Sequence, residues 1–407
     1  MTGLPAGTVK RKLHEARKNI KEGMKMARAK GQRSYNPEDI DFGYNVNNSP
    51  EPYPSGRPWS LMKRLAAKNI VLEAYNNPST IEELSLALGI SVPYIEDELK
   101  LILESDVIIK HPNVRLETNF IIYNAEMQKR KMEIMEEAGK QVSQLICEVI
   151  EKNMDKIRGI GFVNHDMPKE YLYWCLIHIT LEKLFSKIQA EKNVGISWTK
   201  RHDGGEWDIT AFEQWEQPIS YSSSAHNTGY NTNVHGEGVR YFYGHHTIHV
   251  DDLYTKDSDY AMPNNDLLLL ADIVRNNRGK STLNSSECEI VDALVKNCVV
   301  HVSEDAIKIN FPAFDESEKK EFSAYHDIVR EIYEGEVYRL FENVYSSLYE
   351  TMSNSLPDRF KKDGSVKKTA ADLYSFRCIL ARHAYKNGII KIPEGDDKSM
   401  ITMYMGY

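Results

Sequence analysis

The punctuation between Trp59 and Tyr123 constrains the fold more than any other feature of the chain. Trp59–Tyr75 has a helical pattern, with Leu61, Leu65, Ile70, Leu72 and Tyr75 available for a core. Asn77-Pro78 ends it, because the residue before a proline is pushed out of the helical region. Ser79 or Thr80 can cap a second helix, Ile81–Leu88, and Glu83 stands at capping-box spacing from Thr80. Gly89 makes a turn. Ser91 then starts a third helix, with Pro93 in its first turn, where a missing N–H costs little. That helix runs through Tyr94, Ile95, Leu99, Leu101, Ile102 and Leu103. Two β segments follow, Val107–Lys110 and Leu116–Tyr123, across a turn at Asn113.

Helix, helix–Gly turn–helix, then hairpin is the order of a winged helix, expected here over residues 59–123. Its third helix suits DNA poorly. Glu96, Asp97, Glu98, Glu104 and Asp106 oppose phosphate, with Lys100 the one cation between. A protein-contact or structural role is the expectation for it. The same logic recurs over residues 265–313: helices Leu267–Arg275 and Ser285–Lys296, then a hairpin of Val299–Val302 and Ala306–Phe311. A second winged-helix-like unit is expected there.

Charge divides the chain sharply. Met1–Arg33 holds ten Lys or Arg against two Glu, a net charge of +8, while the whole chain is −8, which leaves −16 on the rest. Val9, Leu13, Ala16, Ile20 and Met24 fall on one face of a helical period, so residues 1–30 read as a basic amphipathic helix capped at Thr8. Such a segment is the natural place to meet a polyanion. Residues 31–58 are rich in Pro, Asn, Ser and Gly and read as an extended linker.

Residues 124–157 read as a polar connector helix (Glu126–Met154). Residues 158–407 read as an acidic sensor or interaction domain, open to an unknown ligand or protein. It contains a buried helix over Tyr171–Ile188 and β runs at Gly195–Lys200, Trp207–Trp215, Val239–Tyr243 and Thr247–Val250. A long helix over Glu316–Met352, a final helix over Lys368–Asn387 and a closing hairpin across Gly395 complete it. The fold class expected is α+β, mostly helical with short antiparallel hairpins. No repeat of the solenoid kind is visible.

Chemistry-bearing motifs are sparse. GxSxG, Walker A and GxGxxG are absent, so no catalytic residue or cofactor is expected and the chain does not read as an enzyme. His245, His249 and Asp251 alternate along a predicted strand and are the weak candidates for a divalent metal, although no diagnostic spacing accompanies them. Five scattered cysteines without a CxxC fit buried thiols in a reducing cytoplasm, with Cys175 a core thiol. The rings of Trp198, Trp207, Phe212, Trp215, Tyr221, Tyr230 and Tyr241–Tyr243 belong to a core or line a ligand pocket. No apolar run approaches the ~20 residues of a membrane helix, so a cytoplasmic location is expected.

The stretch Gly7-Thr8-Val9-Lys10-Arg11-Lys12-Leu13-His14-Glu15-Ala16-Arg17-Lys18-Asn19-Ile20-Lys21 resembles the end of region 4 in sigma-70 factors of the extracytoplasmic-function type. Gly7, Thr8, Val9, Lys10, Leu13, Ala16, Arg17 and Lys21 match that family's pattern, with Ile20 in a leucine place and Lys12 where arginine is usual. In the family this is the recognition helix of a helix-turn-helix that reads promoter DNA. The resemblance implies that Thr8, Lys10, Arg11 and Lys12 approach DNA, with Arg17, Lys18 and Lys21 toward the backbone, and that RNA polymerase core is a partner. Pro93-Tyr94-Ile95-Glu96-Asp97-Glu98-Leu99 and Thr118-Asn119-Phe120-Ile121-Ile122 are similar to a winged helix found beyond region 4 in some of these factors. The family's preceding helix and its region 2 have no counterpart here. The expectation is either the downstream part of a sigma factor or a diverged relative. The alternatives are a ligand- or protein-binding regulator that binds no DNA in this form and a metal-dependent enzyme of the β region.

Overall fold

The computed structural model describes residues 37–47, 61–192, 199–200, 206–215, 241–243, 249–250, 253–254, 264–361, 364–371, 373, 376–392 and 404–407, together with residue 12. The protein is α+β, mostly helical with short strand pairs. It forms two compact units: residues 1–129, 195–216 and 351–367, and residues 130–194, 217–350 and 368–407.

In the first unit, helix Leu65–Asn76 buries Ala67, Ile70, Val71 and Ala74 and leaves Leu65 exposed. Helix Ile81–Leu88 begins in a complete capping box. The Glu83 N–H donates to Thr80 Oγ1 at 3.2 Å and the Thr80 N–H to Glu83 Oε2 at 2.9 Å. It ends at Gly89, whose φ of 66° is a conformation that favours glycine. Helix Val92–Glu104 turns Ile95, Leu99 and Ile102 inward. Strands Ile108–Lys110 and Leu116–Thr118 form an antiparallel hairpin, and Ser79 bridges Leu116 on its outer edge. Buried Thr118 donates from its hydroxyl to the Val71 carbonyl at 2.6 Å, which fixes the hairpin to the first helix.

The chain leaves the hairpin at Asn119. Ile121–Tyr123 then runs parallel to Glu206–Glu213, which pairs antiparallel along its full length with Ile40–Asn47. The Asn69 side chain accepts from the Glu38 N–H at 3.0 Å and donates to the Glu38 carbonyl at 2.9 Å, so the strand's approach is tied to the first helix.

In the second unit, helix Asn264–Asn276 is followed by a 3-10 turn, Lys280–Thr282, and by helix Ser285–Lys296. The last of these has its own capping box, Asn284 with Glu287. Val300–Ser303 and Ala306–Ile309 form the hairpin. Ala313–Phe314 then runs parallel to Tyr404–Gly406, which pairs antiparallel with Tyr241–Tyr243. Leu267, Leu270, Val291, Leu294, Phe311 and Met405 make one buried cluster. Helix Lys169–Lys192 is buried on every face between Leu172 and Leu181, as expected of a core helix. Gly139, in helix Ala125–Lys152, allows close approach to helix Phe376–Lys386: a β-carbon there would lie 2.3 Å from Ile379 Cγ2. Helix Ala125–Lys152 also buries Val142, Ile146, Cys147 and Ile150, so its central and last turns are core material.

The two units contain the same device twice. In each, a bridge residue after the first helix (Ser79, Gly279) pairs with the first residue of the second hairpin strand (Leu116, Ala306). In each, a left-handed residue ends the last helix, Asp106 at φ 59° and Cys298 at φ 56°. An asparagine past the hairpin locks that turn. The Asn119 N–H reaches the Val107 carbonyl, and the Asn310 N–H the Val299 carbonyl, both at 3.0 Å. The side-chain amides of Asn119 and Asn310 donate to the Asp106 and Cys298 carbonyls, again both at 3.0 Å. A buried phenylalanine follows each asparagine (Phe120, Phe311). The exit strand then pairs parallel with a central strand that is itself antiparallel to the strand before the first helix. The copies differ between bridge and exit: the helix Ile81–Leu88 of the first is reduced to the 3-10 turn in the second.

Several expectations are corrected. Ile40–Asn47, expected within a linker, is a strand, because a partner far along the chain supplies its hydrogen bonds. The segment Leu116–Tyr123 is two strands broken at Asn119. The segment Glu316–Met352 is three helices, broken at Val329 and at Gly335, whose ψ of −146° is not helical. The last helical stretch is likewise two helices, Gly364–Ala371 and Phe376–Lys386. Of the closing hairpin expected across Gly395, residues 393–403 lie outside the described residues; Ile389–Ile392 is not a strand, and Tyr404–Gly406 enters a sheet between Ala313–Phe314 and Tyr241–Tyr243. Of the apolar residues named along the third helix, Tyr94 and Leu101 are exposed.

Replacing either asparagine lock is expected to cost about 1–2 kcal/mol, the usual consequence of leaving a shielded carbonyl without its donor. Thermal unfolding of Asn119→Ala and Asn310→Ala against the exposed control Asn113→Ala checks this; equal melting temperatures in all three would refute it. A second expectation concerns acid. His326 accepts or donates at Nδ1 with the Tyr333 hydroxyl at 2.8 Å, and burial, aided by Lys183, pushes its imidazole down to about 4. The unfolded chain therefore binds the proton first, and stability falls as pH drops from about 6.5 toward 4, by at most about 3 kcal/mol. His326→Gln should flatten the melting temperature between pH 7 and 5; an unchanged slope would contradict the assignment.

Candidate interaction surfaces

The residues of the first hairpin unit are committed mainly to one another. Glu83, besides its capping role, accepts from Arg115 Nη1 at 2.9 Å and Nη2 at 3.1 Å, and Arg115 also donates to the Pro78 carbonyl at 2.5 Å. The Thr80 N–H first, and Arg115 second, hold the Glu83 carboxyl below its ordinary range. His111 Nε2 lies 2.7 Å from Glu117 Oε2. Arg359 stacks over the rings of Phe360 and Tyr75, pairs with Glu117 at 3.3 Å and donates to the Tyr75 and Thr118 carbonyls. The hairpin's arginine and histidine are therefore bound inward, and Lys110 is its one exposed cation.

The outward face of helix Val92–Glu104 is acidic and partly apolar. Glu98 is neutralised by Arg64, whose Nε donates to both carboxylate oxygens at 2.9 and 2.8 Å. Glu96 and Asp97 are exposed, and Asp97 is paired with Lys100 at 2.8 Å. Tyr94 is 70% exposed and Leu101 37%. The equivalent helix of the second unit, Ser285–Lys296, is also acidic. Its Glu287 is held by Arg278 at 2.9 and 3.0 Å, while Glu289 and Asp292 face outward. Arg278, and after it the Asn284 N–H, keep the Glu287 carboxyl below its usual range.

The second unit also has an open cleft of about 680 Å³, lined by Lys140, Glu148, Glu151, Lys169, Tyr173 and Lys391 among others. Lys169 pairs with Glu151 at 2.5 Å, the Tyr173 hydroxyl donates to the same carboxylate, and Lys391 pairs with Glu170 at 3.0 Å. Lys169 and then Tyr173 hold Glu151 ionised. Cys147 on the cleft wall is pushed up to about 12 by burial, so it is a thiol and not a nucleophile at neutral pH. The charges suit binding of a polar molecule. The sequence offered no signal for this cleft, because Glu151, Lys169 and Lys391 come from three separate segments.

Of the DNA-facing residues implied by the family resemblance, Lys12 is helical and exposed. Thr8, Lys10, Arg11, Arg17, Lys18 and Lys21 lie outside the described residues, as do His245, Asp251 and the side chain of His249. Among the described residues no group of three His, Cys, Asp or Glu is placed to hold a metal ion. Cys175 is fully buried, and the five cysteines are free thiols. Of the rings named in the β region, Phe212 stacks on Tyr123 with centroids 5.6 Å apart. Among the described residues no helix is long and apolar enough to cross a membrane. No family model, no curated protein and no solved structure matches the chain.

Proposed function

We propose that the protein is a DNA-binding transcription factor of the sigma-70 kind, in which the basic N-terminal segment meets promoter DNA and the two hairpin units face proteins. One observation carries this. The +8 charge of residues 1–33 stands against −16 on the remainder, and the outward faces of both third-position helices carry part of that acidity, at Glu96 and Asp97 and at Glu289 and Asp292. Phosphate binding gains from cations that release counterions and loses from carboxylates held near the backbone. Affinity for DNA accordingly resides in Lys10, Arg11, Lys12, Arg17, Lys18 and Lys21, with Thr8–Lys12 the base-reading end. Both hairpin units, the first with three helices and the second with a 3-10 turn in the middle position, serve as winged-helix-like modules for protein contact, RNA polymerase core being the partner implied by the family resemblance.

A second reading, a ligand-responsive regulator, is favoured by the cleft of about 680 Å³. The two are compatible if the cleft modulates the DNA-bound state.

Duplex binding by the full chain, measured against salt, tests the proposal. Each phosphate contact contributes about −0.9 to the log–log slope, so neutralising Lys10, Arg11, Lys12 and Arg17 together should flatten it by about 3 to 4. Absence of binding to any duplex at low salt would sink the proposal.

A further inference from the structure

We propose that the exposed stripe of helix Val92–Glu104 is the resting dock of the chain's own basic segment, residues 9–24, so that this helix and DNA compete for one set of cations. Tyr94, Asp97 and Leu101 stand three and four residues apart, which places them on one face of the helix, with Glu96 alongside. All four are exposed. An exposed tyrosine and leucine interleaved with carboxylates is the complement of a segment whose sequence spaces Val9, Leu13, Ala16, Ile20 and Met24 at a helical period and sets cations between them. The apolar positions supply contact area, and the opposite charges set the pairing.

The second copy of the device provides a comparison within the same chain. Matching the left-handed residues Asp106 and Cys298 brings Tyr94 opposite Ser286 and Leu101 opposite Ala293. Both copies keep the inward positions apolar: Leu99 and Ile102 in one, Val291 and Leu294 in the other. Folding therefore does not demand Tyr94 or Leu101. The second helix exposes one large apolar residue of its own, Val295, but carries no aromatic ring; the tyrosine and leucine pair belongs to the copy that follows the basic segment.

Reach and tethering favour the intramolecular pairing. Glu38 is held by Asn69, and Asp39 by Lys68, on the first helix of the same unit. The chain from Met24 to Ile40 spans at most about 55 Å when extended, enough to cross one face of a unit of this size. A tether of this kind gives an effective concentration in the millimolar range, so a contact too weak to hold two separate molecules is populated within one chain.

Two measurements on the full chain test this. The docking itself does not depend on the proposed DNA role, whereas the competition does. Zero-length carbodiimide cross-linking followed by peptide mapping should join lysines of residues 10–21 to Glu96 or Asp97 within one chain. It should lose those links in Tyr94→Ser/Leu101→Ala, which copies residues the second unit already tolerates, and in Asp97→Lys. For duplex DNA, the same variants should bind about ten-fold more tightly than the unaltered chain, while Glu289→Lys, its counterpart in the second unit, should show no more than the small gain of one added cation. Cross-links that persist unchanged in the variants, or that join two chains in a dimer, overturn the docking. Loss of the links without tighter duplex binding, in a chain that does bind duplex, overturns the competition. Intramolecular links in a chain that binds no duplex would uphold the docking and remove the DNA-binding proposal instead.

Discussion

Each hairpin unit depends on a strand that arrives late. Glu206–Glu213 pairs with Ile40–Asn47 on one side and with Ile121–Tyr123 on the other; Tyr404–Gly406 does the same between Tyr241–Tyr243 and Ala313–Phe314. The flanking strands carry backbone donors and acceptors that the central strand pairs. Neither sheet is complete until the chain has passed through its long helices and returned. The parallel pairing on one side requires that long excursion, since parallel strands cannot be joined by a tight turn. The helical segments between exit strand and central strand thus serve as the crossovers of the two sheets as well as core.

The recurrence of the whole arrangement, including the asparagine lock behind each hairpin, gives the chain two versions of one scaffold with different surfaces. What is held constant is inward: a bridge residue, a left-handed turn, an Asn-Phe pair and an exit strand. What varies is outward. In the first version Glu83 and Arg115 tie the second helix to the hairpin. In the second, that helix is a 3-10 turn, and Asp305 takes over the tie by accepting from the Ser281 N–H at 2.6 Å and from its hydroxyl at 2.9 Å. Gly279 is needed there, since a β-carbon would lie 2.1 Å from Asp305 Oδ2. Charge follows the same division of labour: cations gather in a short segment at one end, while the folded scaffold presents carboxylates.

The sequence was most legible where structure is local. Thr80 with Glu83, Gly89, and Pro93 in a first turn marked the second and third helices of the first unit, because caps and turns are decided by residues within a few positions of each other. Helix Ser285–Lys296 and its hairpin were visible as the same order of elements. The strand Ile40–Asn47 was not, because an Asn- and Pro-rich context hides a segment whose hydrogen bonds come from far along the chain. Nor was the duplication, since the conserved features are a φ angle, a bridge and a side-chain amide, with little identity between the two stretches beyond Asn119-Phe120 and Asn310-Phe311. The cleft escaped notice because its charged side chains come from three segments far apart in the chain: two helices and the stretch at Lys391. The outward turn of Tyr94 and Leu101 escaped because hydrophobicity alone does not say which face of a helix is buried.

The proposed division between a cationic DNA-facing segment and an acidic, protein-facing scaffold is tested most directly by hydrogen exchange on the full chain with and without duplex DNA. The account predicts new protection confined to residues 1–33, with none gained over Val92–Glu104 or Ser285–Lys296. New protection along either of those helices on adding duplex would contradict it.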